Sequence, residues 1–167
     1  MPEVTEGSLQ LTIPEDNTYV KFDDENHRLL HCMKAVDFIV ETATHFLFIE
    51  FKDPEHPNAR KKDRKEFIQK FLAGSKDDDF VYKYRDSFLY QWASGKTNKP
   101  IYYLVLVAVS GIGEAELLAR TDDLKRKLPQ NGIVPKIWQR RIVDDCVVFN
   151  IETWNRHLPQ YHVSRMR

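Results

Sequence analysis

Residues 35–52 read Ala35-Val36-Asp37-Phe38-Ile39-Val40-Glu41-Thr42-Ala43-Thr44-His45-Phe46-Leu47-Phe48-Ile49-Glu50-Phe51-Lys52. Two β-branched and aromatic runs flank the short segment Glu41 to Thr44, which is the pattern of a hairpin. Side chains alternate along a strand, so Phe46, Phe48, Glu50 and Lys52 share one face while Leu47, Ile49 and Phe51 share the other. On the first strand Ala35, Asp37 and Ile39 lie together. A loop centred between Ala43 and Thr44 makes opposed residues sum to 87, which sets Asp37 across from Glu50 on the same face. Their Cα atoms are then about 4.5–5.5 Å apart. A register slipped by one residue would separate them.

Outward from the hairpin, Asp53-Pro54-Glu55-His56-Pro57-Asn58 ends the second strand, because neither proline can donate to a ladder. Arg60 to Ala73 has a helical stripe of Phe67, Ile68, Phe71 and Leu72, with Gly74 as its stop. A second helix opens at Asp77-Asp78-Asp79, carries the stripe Val81, Tyr84, Phe88 and Trp92 flanked by Phe80 and Leu89, and ends at Gly95. Ile101 to Val109 is apolar on both faces, as expected of a mid-sheet strand covered by helices on both sides. Glu114 to Leu128 reads as a helix ended by Pro129 and the turn Asn131-Gly132, Cys146 to Asn150 as a last strand, and Ile151 to Leu158 as a short helix before a basic tail. Upstream, Leu9 to Ile13 is an edge strand or extended arm stopped by Pro14, and Tyr19 to Phe22 a short strand. The segment Asp23-Asp24-Glu25-Asn26 either caps a short helix or turns through Met33. The order predicts an α/β fold with a mixed β-sheet flanked by helices.

The chain has 167 residues, the size of one domain, so a single domain over 1–167 is expected. With 42% hydrophobic residues it can bury a sizeable core, which excludes the disordered and fibrous classes. Lys plus Arg and Asp plus Glu number 25 each, so any nucleic acid or membrane partner has to be met by a local patch. Cys32 and Cys146 form no disulfide framework or Cys-x-x-Cys pair, and the acidic start Met1-Pro2-Glu3-Val4-Thr5-Glu6 lacks a secretory pattern. A cytoplasmic protein with no membrane partner is expected.

Carboxylates leaving water on an apolar strand cost several kcal/mol unless they are paired or given work. Asp37 and Glu50 repel one another, and Lys52 supplies one positive charge, leaving a net of minus one at the end of the hairpin. A divalent ion fits that remainder. Mg²⁺ prefers oxygen ligands, keeps several waters and is typically held by one or two carboxylates plus a substrate phosphate. Asp37 and Glu50 could supply the carboxylates and the backbone carbonyl of Phe51 a third ligand. With Lys52 orienting the water or stabilising charge on the phosphate, this describes phosphodiester hydrolysis.

Asp37, twelve intervening residues and Glu50-Phe51-Lys52, on a hairpin followed by a helix and an apolar strand, resemble the PD-(D/E)XK nuclease superfamily. The resemblance covers about 35–109. It implies a restriction-endonuclease-like core in which Asp37 stands for the first aspartate, Glu50 for the second acidic residue and Lys52 for the lysine. It further implies Mg²⁺ as the usual cofactor, with Mn²⁺ as a substitute, and DNA cut by direct attack of metal-activated water. Val36 departs from the motif's proline, and Gln69 leading to Ala73 and Gln91 leading to Gly95 miss the Gln-x-x-x-Tyr of one subgroup. The alternative is a catalytically inactive interaction module of the same fold.

Further signals are weaker. Arg60-Lys61-Lys62-Asp63-Arg64-Lys65 holds five bases in six residues, and Lys136, Arg140 and Arg141 with Trp138 form a second cluster. Lys61, Lys62 and Arg64 could contact phosphates, or be a solvated face, and Arg85 could reach a scissile phosphate or pair with Asp86. His27 and His31 are four apart but lack the glutamate of His-Glu-x-x-His, and Gly95-Lys96-Thr97 lacks the first glycine of a P-loop. Ser110-Gly111-Ile112-Gly113 joins a strand to a helix, where an anion or a plain tight turn would fit. With no separate recognition domain, a homodimer or larger complex is expected to supply the missing contacts.

Overall fold

A computed structural model describes residues 1–24, 32–130 and 137–166. The elements run β1 (Glu3–Glu6), β2 (Leu9–Thr12), β3 (Thr18–Lys21), β4 (Phe38–Glu41), β5 (Phe46–Lys52), α1 (Lys61–Leu72), α2 (Asp77–Ala93), β6 (Ile101–Val107), α3 (Glu114–Lys127), β7 (Asp145–Phe149), α4 (Ile151–His157), a 3-10 turn at Pro159–Tyr161 and β8 (Val163–Arg165). The predicted pair of histidines, the Asn131-Gly132 turn and Lys136 lie outside the described residues.

The fold is α/β. A mixed five-stranded sheet has the order β3-β4-β5-β6-β7, with β3, β4 and β5 antiparallel and β5, β6 and β7 parallel. The change from antiparallel to parallel pairing falls on β5, the strand that carries Glu50 and Lys52. Two helices, α1 and α2, make the crossover from β5 to β6, and α3 makes the next one, as parallel neighbours require.

The alternation along the strands divides the core in two. Phe46 and Phe48 of β5 and Tyr103, Val105 and Val107 of β6 pack beneath the helices, against Phe71, Phe80, Tyr84, Leu117 and Leu124. On the opposite face Leu47, Ile49, Phe51, Leu104 and Leu106 pack against Leu9, Leu11, Val163 and Trp154. That second face corrects the expectation of helices on both sides. It is covered by α4 and a small antiparallel sheet of order β1-β2-β8, and Leu9 to Thr12 is the middle strand of that sheet rather than an edge. The sequence reading missed β1 and β8 because both are short and rich in polar residues. Pairing with β2 makes them strands, and of their residues only Val163 is buried.

Trp154 is wholly buried, its ring edge-on to Phe51 at 5.7 Å and Phe149 at 5.5 Å, and its indole N–H donates to the Tyr161 carbonyl at 2.6 Å. Helix α2 shows the reverse. Trp92 and Leu89, expected on or beside its inner stripe, are 62% and 52% exposed, and Ser87 and Gln91 are buried in their place. Among the described residues no helix is long and apolar enough to cross a membrane.

Candidate active site

The ladder between β4 and β5 pairs Phe38 with Ile49 and Ile39 with Phe48, the register expected from a turn centred at 43 and 44. It stops at Phe38, one residue short of Asp37. The Asp37 backbone carbonyl instead accepts from the N–H of Phe22 at 2.7 Å, and the side chain turns toward β5. There Oδ2 accepts from the N–H of Phe51 at 2.5 Å. Beyond β4 the flank of β5 has no strand beside it, and the carboxylate satisfies a buried donor that a ladder would otherwise satisfy. In a strand the N–H and C=O of one residue face the same neighbour, so the Phe51 carbonyl is directed to the Asp37 side as well.

The approach to Asp37 is held by α2. Val36 N–H donates to Ser87 Oγ at 2.9 Å, and Lys34 N–H to Asp86 Oδ2 at 2.7 Å. A serine therefore stands in the apolar stripe of α2 to receive the N–H of a strand lead-in that has no ladder of its own.

Glu50 shares the helix-covered face with Phe46 and Phe48, and its side chain is wholly buried. Two ammonium groups meet its Oε1: Lys52 Nζ at 2.6 Å and Lys83 Nζ, from the middle of α2, at 2.8 Å. Lys83 also lies 3.8 Å from Asp37 Oδ1 and 3.9 Å from Asp23 Oδ2. The other Glu50 oxygen, Oε2, has no hydrogen-bond partner among the described residues. A buried carboxylate oxygen left without a donor or cation is costly. Oε2 is where this cluster could take a further donor or cation.

Burial, followed by the charge of Glu50, pushes the Asp37 carboxyl up to about 8, against the pull of Lys83 and the Phe51 N–H. Burial likewise raises Glu50 while Lys52 and Lys83 pull it down. Burial acts to lower Lys83, but Glu50 and Asp37 outweigh it and hold the ammonium charged. Two carboxyls raised by burial beside a lysine raised by those carboxyls describe a pair that resists ionising fully without a cation close by.

Lys83 is the residue that sequence reading missed, and it changes the charge count. Asp37 and Glu50 with Lys52 alone leave minus one, whereas Lys83 brings the four groups to zero when both carboxyls are ionised. The signal lay in helical spacing: position 83 is three after the buried Phe80 and four before the buried Ser87, on an arc where lysine is unusual. Arg85 lies on another side of α2. Two residues turn the helix by about 200°, and Arg85 is exposed, its guanidinium 5.8 Å from the Tyr82 ring centre.

Lys61 and Lys62 are exposed at the start of α1, and Arg64 is paired with Glu55. Among the described residues no ion pair joins these three or Arg85 to Asp37 or Glu50. The loop Ser110 to Gly113 has already found its anion within the chain: Glu55 Oε1 accepts from the Ser110 N–H at 2.9 Å and from its hydroxyl at 2.7 Å. No set of three or more His, Cys, Asp or Glu is arranged to share a metal ion among the described residues. Asp37, Glu50 and the Phe51 carbonyl are oxygen donors, a set that would suit an oxygen-preferring cation that retains its waters better than zinc. No family model, curated protein or solved structure matches the chain.

Proposed function

We propose that the chain is a Mg²⁺-dependent nuclease with a restriction-endonuclease-like core that hydrolyses DNA phosphodiester bonds, Mn²⁺ being able to replace Mg²⁺. The observation that carries this reading is Glu50 Oε2, buried and without a hydrogen-bond partner among the described residues, on a carboxylate that shares a strand face with Lys52 and a contact to Lys83 with Asp37. Asp37, Glu50 and the Phe51 carbonyl would hold the ion. A bound Mg²⁺ supplies Lewis acidity to a phosphoryl oxygen and to a coordinated water. Lys52, half-buried at the rim, would orient that water and stabilise charge developing on the phosphate. Lys61 and Lys62 are free for phosphate contacts, while Arg64 would first have to leave Glu55. A homodimer or larger complex would supply the remaining contacts to DNA.

One observation favours a second reading, an inactive interaction module of the same architecture. Lys52 and Lys83 together neutralise the two carboxylates, as in a purely structural polar cluster. Cleavage of supercoiled and linear DNA separates the two. Wild type should cut with Mg²⁺ or Mn²⁺, and identically prepared Glu50→Ala and Lys52→Ala should lose at least about 100-fold in rate, in keeping with the loss of a metal ligand or an electrostatic catalyst. Equal behaviour of all three proteins on these substrates would remove the nuclease reading for DNA.

A further inference from the structure

Lys83 is the one cation, among the described residues, in contact with both Asp37 and Glu50. Lys52 touches Glu50 alone. Lysine side chains normally carry the charged end out to water, yet that of Lys83 is turned inward and only 13% exposed. Holding an ammonium there costs desolvation, and the two carboxylates offset that cost. The ammonium thus does, in the protein by itself, what a metal ion would do for the same oxygens.

The two cations are then alternatives. A divalent ion joining Asp37 and Glu50 would sit next to the two ammonium groups that already contact them, a repulsion that is strong where water is largely excluded. Withdrawal of one ammonium relieves it. Lys52 lies two residues from Glu50 on the same strand face and pairs, among the described residues, with Glu50 alone. Lys83 reaches in from α2 on a flexible stem, and a third carboxylate lies beside it on the outer side. Asp23 Oδ2 is 3.9 Å from its Nζ, on a side chain that is 55% exposed.

We propose that Lys83 is the resident counter-cation of the Asp37 and Glu50 pair, and that a hard divalent cation enters only as the Lys83 ammonium moves out to Asp23. This deepens the nuclease reading and rests on it. The protein is thereby kept folded with its site neutralised when the metal is scarce, at the expense of affinity for the metal.

The test is direct Mn²⁺ binding to the full chain, followed as loss of the free-ion electron paramagnetic resonance signal, with wild type, Lys83→Met, Lys52→Met, Asp23→Asn and Glu50→Ala. Lys83→Met should bind Mn²⁺ at least about tenfold more tightly than wild type, and Lys52→Met should gain less. Asp23→Asn, which retains Lys83 but removes its outer partner, should bind about threefold or more weakly. It keeps the test decisive if Lys83→Met fails to fold. Equal or weaker binding by folded Lys83→Met, or unchanged binding by Asp23→Asn, overturns the exchange. If Glu50→Ala still abolishes binding in that case, the metal site itself stands. Absence of binding in wild type and Lys83→Met alike, or binding indifferent to Glu50→Ala, removes the metal site and the exchange together.

Discussion

Asp37 is asked to do two things: cap the unladdered end of β5 through the Phe51 N–H and face Glu50 across a short gap. Its titration follows first from burial and then from the Glu50 charge. In the unfolded chain the carboxyl loses its proton near the ordinary 3.8, and in the native state near 8. Between those values the native state holds a proton that unfolding releases, so stability falls as pH rises. The contribution is complete below the unfolded value and gone above the native one, and Glu50 adds the same sign. In chelator, the wild-type melting temperature should therefore decline from about pH 5 to pH 8, one such group giving at most about 1.4 kcal/mol per pH unit. Asp37→Asn should flatten that decline. A wild-type slope that survives the substitution would assign it to other groups.

At the scale of elements, the hairpin register was readable because its turn is short and its strands alternate, so a single sum located Asp37 against Glu50. Lys83 was not readable in the same way. Nothing in a list of residues says that α2 crosses over the approach to β4; that follows from Phe80 and Tyr84 of α2 packing on the sheet and from Ser87 accepting the Val36 N–H. Trp92 was misplaced for a related reason. The large apolar residues trace one stripe, whereas the buried arc runs through Ser87 and Gln91. Ser87 is there for Val36, which gives an element-level prediction. Ser87→Ala leaves a buried N–H without its acceptor and should cost about 1–3 kcal/mol by denaturant unfolding. It should also loosen α2 against the Asp37 lead-in and, on the nuclease reading proposed above, lower the metal-dependent cleavage. Stability within about 0.5 kcal/mol of wild type would show that the lead-in does not need α2.

For the whole molecule, the segments around Ser8 and Arg165 meet at the end of the site strand. Arg165 of β8 grips Asp53, just past β5, through bonds of 2.9 and 2.7 Å, and also donates to the Ala108 carbonyl at 2.8 Å and the Ser8 hydroxyl at 3.0 Å. Charged hydrogen bonds of this kind contribute about 1.5–3 kcal/mol each when buried, and partial exposure brings the expected loss in Arg165→Met to about 1–2 kcal/mol in all. Loss of that anchor should release β8 and β2 before the five-stranded sheet, seen as early hydrogen exchange at Leu9 and Leu11. Simultaneous exchange of both sheets would make them one cooperative unit.

The chain has three tryptophans, and the fold has sorted them by environment. Trp92 and Trp138 are 62% and 37% exposed, while Trp154 is sealed behind Phe51, on the opposite side of β5 from Glu50. The protein thus contains its own optical probe of the sheet. Acrylamide should quench the long-wavelength emission of the first two and spare a blue-shifted component. With Trp92 and Trp138 replaced by phenylalanine, the remaining fluorescence would follow the integrity of the site strand without a label.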